Sequence, residues 1–427
     1  MKKVTAFVLV FCMLFALAAC ASDSGTSSSP SAQSSASASA SASESASASA
    51  SASANTEPIK IGHIVDLTGA EAATGAEAQR ALQFAIDALG GEFAGRPVEI
   101  IIGDAAGDSS TAVDQARKMV ESDGVVAIFG PTQSGQKTAV AAYMAEAGVP
   151  LIFYNGTPIG LFEGNDWLVG AGGANQQMPT VMADYCYNDL NYRTVTTISM
   201  DNVGFRDFIV DFVDYFEGLG GTAVQQQYAP IPTSDWSSYL VNLAEADAIM
   251  AWTTGNSSIA LWSAWYDMGI YKTMPITAIL HGGFTDYFIL NAVAAANPDA
   301  AEAVLGTIAC TLYVYDNDAP ENEAFVEAWK AEFGVVPQTN LSGLCYQAAL
   351  LLKTAIEDID GDTTPENLID SIFAADIDGP TGHLYFEDSQ AATMTIYVVE
   401  VVKMEDGSFN YGVVKTYEDV SPTGLAS

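Results

Sequence analysis

From Pro58 onward the sequence predicts an α/β fold of two lobes, each built on an open parallel sheet. Short, nearly continuous apolar runs alternate with amphipathic stretches of about 10–15 residues, the pattern of βαβ units whose sheet is covered on both faces. The alternation pauses at a small-residue loop, Gly170 to Asn175, and then begins again. The stretch is about 370 residues long, more than one hydrophobic core usually serves.

In the first lobe the expected order is strand Ile59 to Val65, helix Ala76 to Leu89 ending at Gly90-Gly91, and strand Val98 to Gly103. Helix Ser109 to Glu121, strand Val125 to Phe129, helix Ser134 to Ala147 and strand Pro150 to Phe153 follow. The second lobe repeats the scheme with helix Pro179 to Leu190, strand Thr194 to Ser199, helix Phe205 to Gly218 and strand Ala248 to Trp252. Helix Ser258 to Met268 and strand Ile276 to Leu280 complete it. Ligands of open α/β sheets sit outside the carboxyl ends of the strands, so two facing sheets place a site in the cleft between them.

The first 57 residues read differently. Lys2 and Lys3 precede an apolar run, Val4 to Leu17, too short to span a bilayer, and the run ends in Leu17-Ala18-Ala19-Cys20. This resembles a bacterial lipoprotein signal, which implies lipid on Cys20 after cleavage and attachment to the outer face of the cytoplasmic membrane. Residues 21–57 are nearly all Ser and Ala and cannot build a core, so they are expected to form a tether reaching on the order of 30 Å.

The charge excludes whole classes of partner. With 15 Lys+Arg against 52 Asp+Glu, a net charge of −37, the surface repels nucleic acid and anionic lipid. Beyond Cys20 the cysteines are Cys186, Cys310 and Cys345, an odd count without a CxxC, which favours buried free thiols. His63, His281 and His383 lie on distant elements without ligand spacing, so no metal or other cofactor is expected.

Among the loops that follow strands, Gly130-Pro131-Thr132-Gln133-Ser134-Gly135 opens a helix. Unpaired N–H groups and the partial positive charge at a helix start suit a carboxylate, with the Ser134 hydroxyl beside them. Ser134 serves equally well as an N-cap. The loop lacks the GK[ST] of a P-loop and the first Gly of a GxSxG elbow, and Gly170 to Asn175 lacks the last Gly of GxGxxG. With no nucleophile–base pair visible, an enzyme is not expected.

An ordered set of short motifs spans most of the chain: Leu67-Thr68-Gly69, Gly75, Ala85-Ile86-Asp87 before Gly90-Gly91, Gly95, Asp104, Gly130-Pro131 with Ser134, and Gly379-Pro380-Thr381-Gly382 with Phe386. It resembles the branched-chain amino-acid (Leu/Ile/Val) type of periplasmic binding protein. The resemblance implies the periplasmic binding protein type 1 fold: two Rossmann-like lobes with parallel sheets, joined by three crossover strands, with the cleft between them. Lobe 1 would comprise about 58–173 and 312–385, with helices Ala324 to Phe333 and Tyr346 to Glu357, and lobe 2 about 174–311 and 390–427.

By the same resemblance Ser134 would hold a ligand carboxylate, and Asn155 and Thr157 an ammonium, through a backbone carbonyl and a hydroxyl. Phe205, Trp252 and Thr254 would cover the ligand from the second lobe. Thr74 stands where an aromatic is usual and His281 where an acidic residue faces the ammonium, and an imidazole cannot replace that counter-charge. The expected ligand is therefore a small amino acid or a related carboxylate or amide, with His281 favouring a small carboxylate, amide or aromatic acid over the branched-chain amino acids. The expected function is a lipid-anchored, extracytoplasmic solute-binding protein that closes about a hinge and delivers its ligand to an ABC permease and its ATPase subunits. A sensor reporting to a membrane signalling partner is the alternative, since the fold serves both.

Overall fold

The computed structural model describes residues 56–69, 71–253, 255–279 and 287–426. Elements appear in the order β1 (Ile59–Val65), α1 (Ala72–Ala88), β2 (Glu92–Phe93), β3 (Arg96–Asp104), α2 (Ser109–Lys118), β4 (Ala127–Phe129), α3 (Ser134–Ala147), β5 (Leu151–Ile152) and β6 (Leu168–Val169). The second series is α4 (Gln177–Asp184), β7 (Thr194–Met200), α5 (Val203–Gly218), β8 (Thr222–Ala229), α6 (Ser237–Val241), β9 (Ala248–Trp252), α7 (Gly255–Asp267), β10 (Ile276–Ile279), α8 (Tyr287–Ala296), α9 (Pro298–Ala303) and β11 (Ile308–Thr311). The chain ends in α10 (Asn322–Phe333), α11 (Asn340–Asp358), α12 (Pro365–Ala374), β12 (Asp376–Gly379), β13 (Gly382–Tyr385), β14 (Thr393–Lys403) and β15 (Phe409–Val420).

The first sheet has the order β2-β3-β1-β4-β5-β6 and is parallel except for the short β2 hairpin. Its central strand β1 pairs Ile61 with Ile100 on one side and His63 with Phe129 on the other. Helices α10 to α12 return to this sheet's core, where Phe84 of α1 meets Phe325 and Trp329 of α10 edge-on. Such ring pairs add to the burial of their area.

The second sheet runs β12-β13-β14-β11-β10-β9-β7-β8, with β15 on β14. Strands β11 to β8 are parallel, as expected, but β14 runs antiparallel to β11 and carries β13 and β15 antiparallel in turn. The β12–β13 pair straddles the two halves. It hydrogen-bonds into the second sheet through Leu384 and Tyr385, yet Ile377 and Leu384 are buried in the core of the first.

Two local differences from the expected elements have physical reasons. Helix α1 starts at Ala72, not Ala76, because Gly75 is not a helix boundary but a point of close approach. A Cβ there would stand 2.0 Å from the Asp66 carbonyl oxygen. Strand β8 was not expected, because this edge strand alternates exposed and covered residues instead of showing a continuous apolar run. All three cysteines in the described residues are buried free thiols, and no described helix is long and apolar enough to cross a membrane.

Candidate functional site

The carboxyl ends of β1, β4 and β5 are knitted together by side chains from the loops that follow them. Asp66, buried just beyond β1, accepts hydrogen bonds from the Gly107 N–H at 2.7 Å, Gln136 Nε2 at 2.8 Å and Gln133 Nε2 at 3.2 Å. Gly130 lets β4 turn beside β1, since it has φ +80° and a Cβ would meet the Ile64 carbonyl oxygen at 2.4 Å. Only glycine fits that turn without strain.

Ser134 is the first residue of α3 and is exposed. It does not cap the helix. The N-cap is Gln133, in extended backbone, and its side chain makes no capping bond because it reaches Asp66 instead. A Cβ on Gly204 would stand 3.4 Å from Ser134 Oγ. The first turns of α3 and α5, one from each sheet, therefore meet at Ser134. Each turn presents backbone N–H groups without helical partners, although in α5 the Asn202 side chain accepts one, from Phe205 at 2.9 Å.

The loop after β5 carries Asn155 and Thr157, both buried. Asn155 Nδ2 donates to the Thr132 carbonyl at 3.1 Å, and its Oδ1 is buried without a hydrogen-bond partner. Thr157 Oγ1 donates to the Asn155 carbonyl at 3.1 Å. A residue that sequence reasoning missed closes this loop: Lys137 Nζ donates to the Asn155 carbonyl at 3.1 Å, the Gly156 carbonyl at 2.8 Å and Thr157 Oγ1 at 2.9 Å. It also lies 5.0 Å from the centre of the Phe153 ring. Lys137 is only 1% exposed, and burial pushes its pKa well below the usual lysine range. The available signal was a lone basic residue three positions after Ser134 in a helix otherwise rich in Ala.

The second sheet brings rings. Trp252 ends β9, is 5% exposed and packs against Phe205 and Phe208, with centroids 4.3 and 3.9 Å away. Phe205, in the first turn of α5, is half-buried, and Ser199 Oγ holds the Trp252 carbonyl at 3.0 Å. Of the expected site residues, the structure thus gathers Ser134, Asn155 and Thr157 on one side and Phe205 with Trp252 on the other. Thr74 lies in the first turn of α1, its hydroxyl donating to Glu71 Oε2 at 3.3 Å, and makes no hydrogen bond to the first group. Thr254, His281 and Cys20 lie outside the described residues.

Residues 58–408 match the family described as periplasmic binding protein. A Leu/Ile/Val-binding protein homolog 6 from Brucella melitensis biotype 1 is 22% identical over 373 residues, covering 86% of this chain and 93% of the relative. Among solved structures, an ABC transporter substrate-binding protein from Sphaerobacter thermophilus is 30% identical with a TM-score of 0.79, covering 86% of this chain and 99% of that one. A solute-binding protein of an ABC transporter from Rhodopseudomonas palustris BisB5, in complex with 3,4-dihydroxybenzoic acid, is 22% identical with a TM-score of 0.76, covering 86% and 98%. The fold class and the resemblance read from the motifs are both borne out: the chain belongs to the periplasmic binding protein family.

Proposed function

We propose that the chain is the solute receptor of an ABC importer, held by lipid on Cys20 at the outer face of the cytoplasmic membrane. Its domain closes on a small amino acid or a related carboxylate or amide and presents it to the permease. The observation that carries this reading is the meeting of the first turns of α3 and α5 at Ser134, which puts unpaired N–H groups from both sheets around one exposed hydroxyl. Such a place favours an anion. Ser134 and these N–H groups receive the ligand's carboxylate, Asn155 and Thr157 form the wall beside it, and Phe205 and Trp252 cover the ligand body. Thr74, Thr254 and His281 complete the lining.

The named relatives support a ligand between a branched-chain amino acid and an aromatic acid, since one is called a Leu/Ile/Val-binding protein homolog and another holds 3,4-dihydroxybenzoic acid. A thermal-shift screen of the mature chain against amino acids, aliphatic acids, aromatic acids and amides tests the reading. A ligand at 100 times its Kd adds about 2.7 kcal/mol of stability. No shift with any of these classes would contradict it. Cys20→Ser is expected to release the protein from membranes while ligand affinity stays the same.

A further inference from the structure

Lys137 is buried, and among the described residues its Nζ bonds two carbonyls and a hydroxyl and no carboxylate. Burying an amine is costly unless hydrogen bonds compensate, and three acceptors converge on Nζ. Those acceptors are the Asn155 and Gly156 carbonyls and the Thr157 hydroxyl, all on the loop at the carboxyl end of β5. Ser134 is three residues earlier on the same helix, so the two side chains share one face.

We propose that Lys137 sets the ligand class: its Nζ occupies the acceptors of the loop after β5, so the cleft takes carboxylic acids without an amino group and rejects zwitterionic amino acids. The inference rests on reading the cleft as a solute site. An incoming ammonium would find these acceptors already used. A carboxylate does not need them, since it accepts from the unpaired N–H groups at the starts of α3 and α5. Asn155 is 7% exposed and its Oδ1 has no partner, which leaves one acceptor, enough for the single donor of a ligand hydroxyl but not for the three of an ammonium. The favoured ligand is therefore a small hydroxy acid.

The test is calorimetric titration of the mature full chain with pairs that differ only in amino against hydroxyl: leucine with 2-hydroxy-4-methylpentanoate, and phenylalanine with 3-phenyllactate. The wild type is expected to prefer the hydroxy acid by about tenfold or more, the scale of one charge-assisted hydrogen bond. In Lys137→Met, and in Lys137→Gln, which keeps two N–H donors for the loop, that preference should shrink by about tenfold. A wild-type ratio near one overturns the proposal whether or not the variants fold. A wild type that binds the amino acid as tightly as its hydroxy partner, or folded variants that keep the full preference, would overturn the role of Lys137 and leave the solute-receptor reading standing. Failure to bind any member of either pair or of the wider screen would overturn both.

Discussion

At the carboxyl end of the first sheet the polar groups are tied to one another, Asp66 to Gln133 and Gln136, Lys137 to three acceptors, and Asn155 to Thr132. At the carboxyl end of the second, the groups that meet are rings, Phe205, Trp252 and Phe208. A prearranged hydrogen-bonding wall is useful for recognising a charged or polar end, because its groups need no reordering when a ligand arrives. An aromatic wall is less directional and can fit ligand bodies of different shape. On the proposed function, recognition would fall to the first lobe and cover to the second.

The largest expected effect breaks the aromatic side. Trp252→Ala should cost about 3–5 kcal/mol of stability, since it empties a buried site in contact with two rings. Phe205→Ala, at a half-buried ring, should cost less stability and more ligand affinity. Urea unfolding of both variants, with affinity measured on the folded protein, checks the contrast. Equal losses of stability would mean that Phe205 is core and not cover.

The next effect separates the two regions by pH. His63 sits in β1, fully buried beside Tyr154, and burial lowers its pKa from 6.5 to about 3. Below pH about 6.5 the unfolded chain takes up a proton that the folded chain refuses, so stability falls with falling pH, by up to about 1.4 kcal/mol per unit down to about pH 3. Asp211 of α5 has the opposite slope. Burial raises its pKa from 3.8 to about 6, against the Gln176 hydrogen bond and with help from Asp207 and Asp214. Its stabilising contribution is present below pH 3.8 and is lost as the pH rises through about 6. His63→Gln should therefore flatten the acid limb of a stability–pH curve. Asp211→Asn should raise stability at pH 7, by only about 1 kcal/mol after solvent screening, and not at pH 3.5. Parallel curves for wild type and both variants would remove this distinction between the lobes.

Ser134→Ala is the mildest break on the polar side. It deletes one hydroxyl and leaves the backbone N–H groups of α3 in place, so ligand affinity should fall by about 0.5–1.5 kcal/mol. Unchanged calorimetric affinity would show that the hydroxyl makes no ligand contact.

Much of this architecture was legible in the sequence because parallel strands buried on both faces are apolar throughout. The spans of β1 and β9 agree with the expected strands residue for residue, and α3 agrees with the expected helix. The edge strand β8 and the antiparallel set around β14 were not resolved, since alternation at an edge and pairing partners far apart in sequence leave no continuous apolar signal. The candidate site was legible only in part. Ser134, Asn155 and Thr157 could be named, but the bond from Gln136 to Asp66 joins residues 70 apart, and the three-point clasp of Lys137 exists only once β4 and β5 lie side by side. Gln133 rather than Ser134 is the helix cap for the same reason: a tertiary partner, Asp66, decides what the local motif does.

The most direct test of the central claim is a crystal structure of the mature chain with the tightest-binding acid of the calorimetric panel. The account predicts its carboxylate at Ser134 and the first turns of α3 and α5, its body against Phe205 and Trp252, and Lys137 still holding Asn155, Gly156 and Thr157. A ligand bound elsewhere, or an amino group seated on the Asn155 carbonyl with Lys137 displaced, would contradict it.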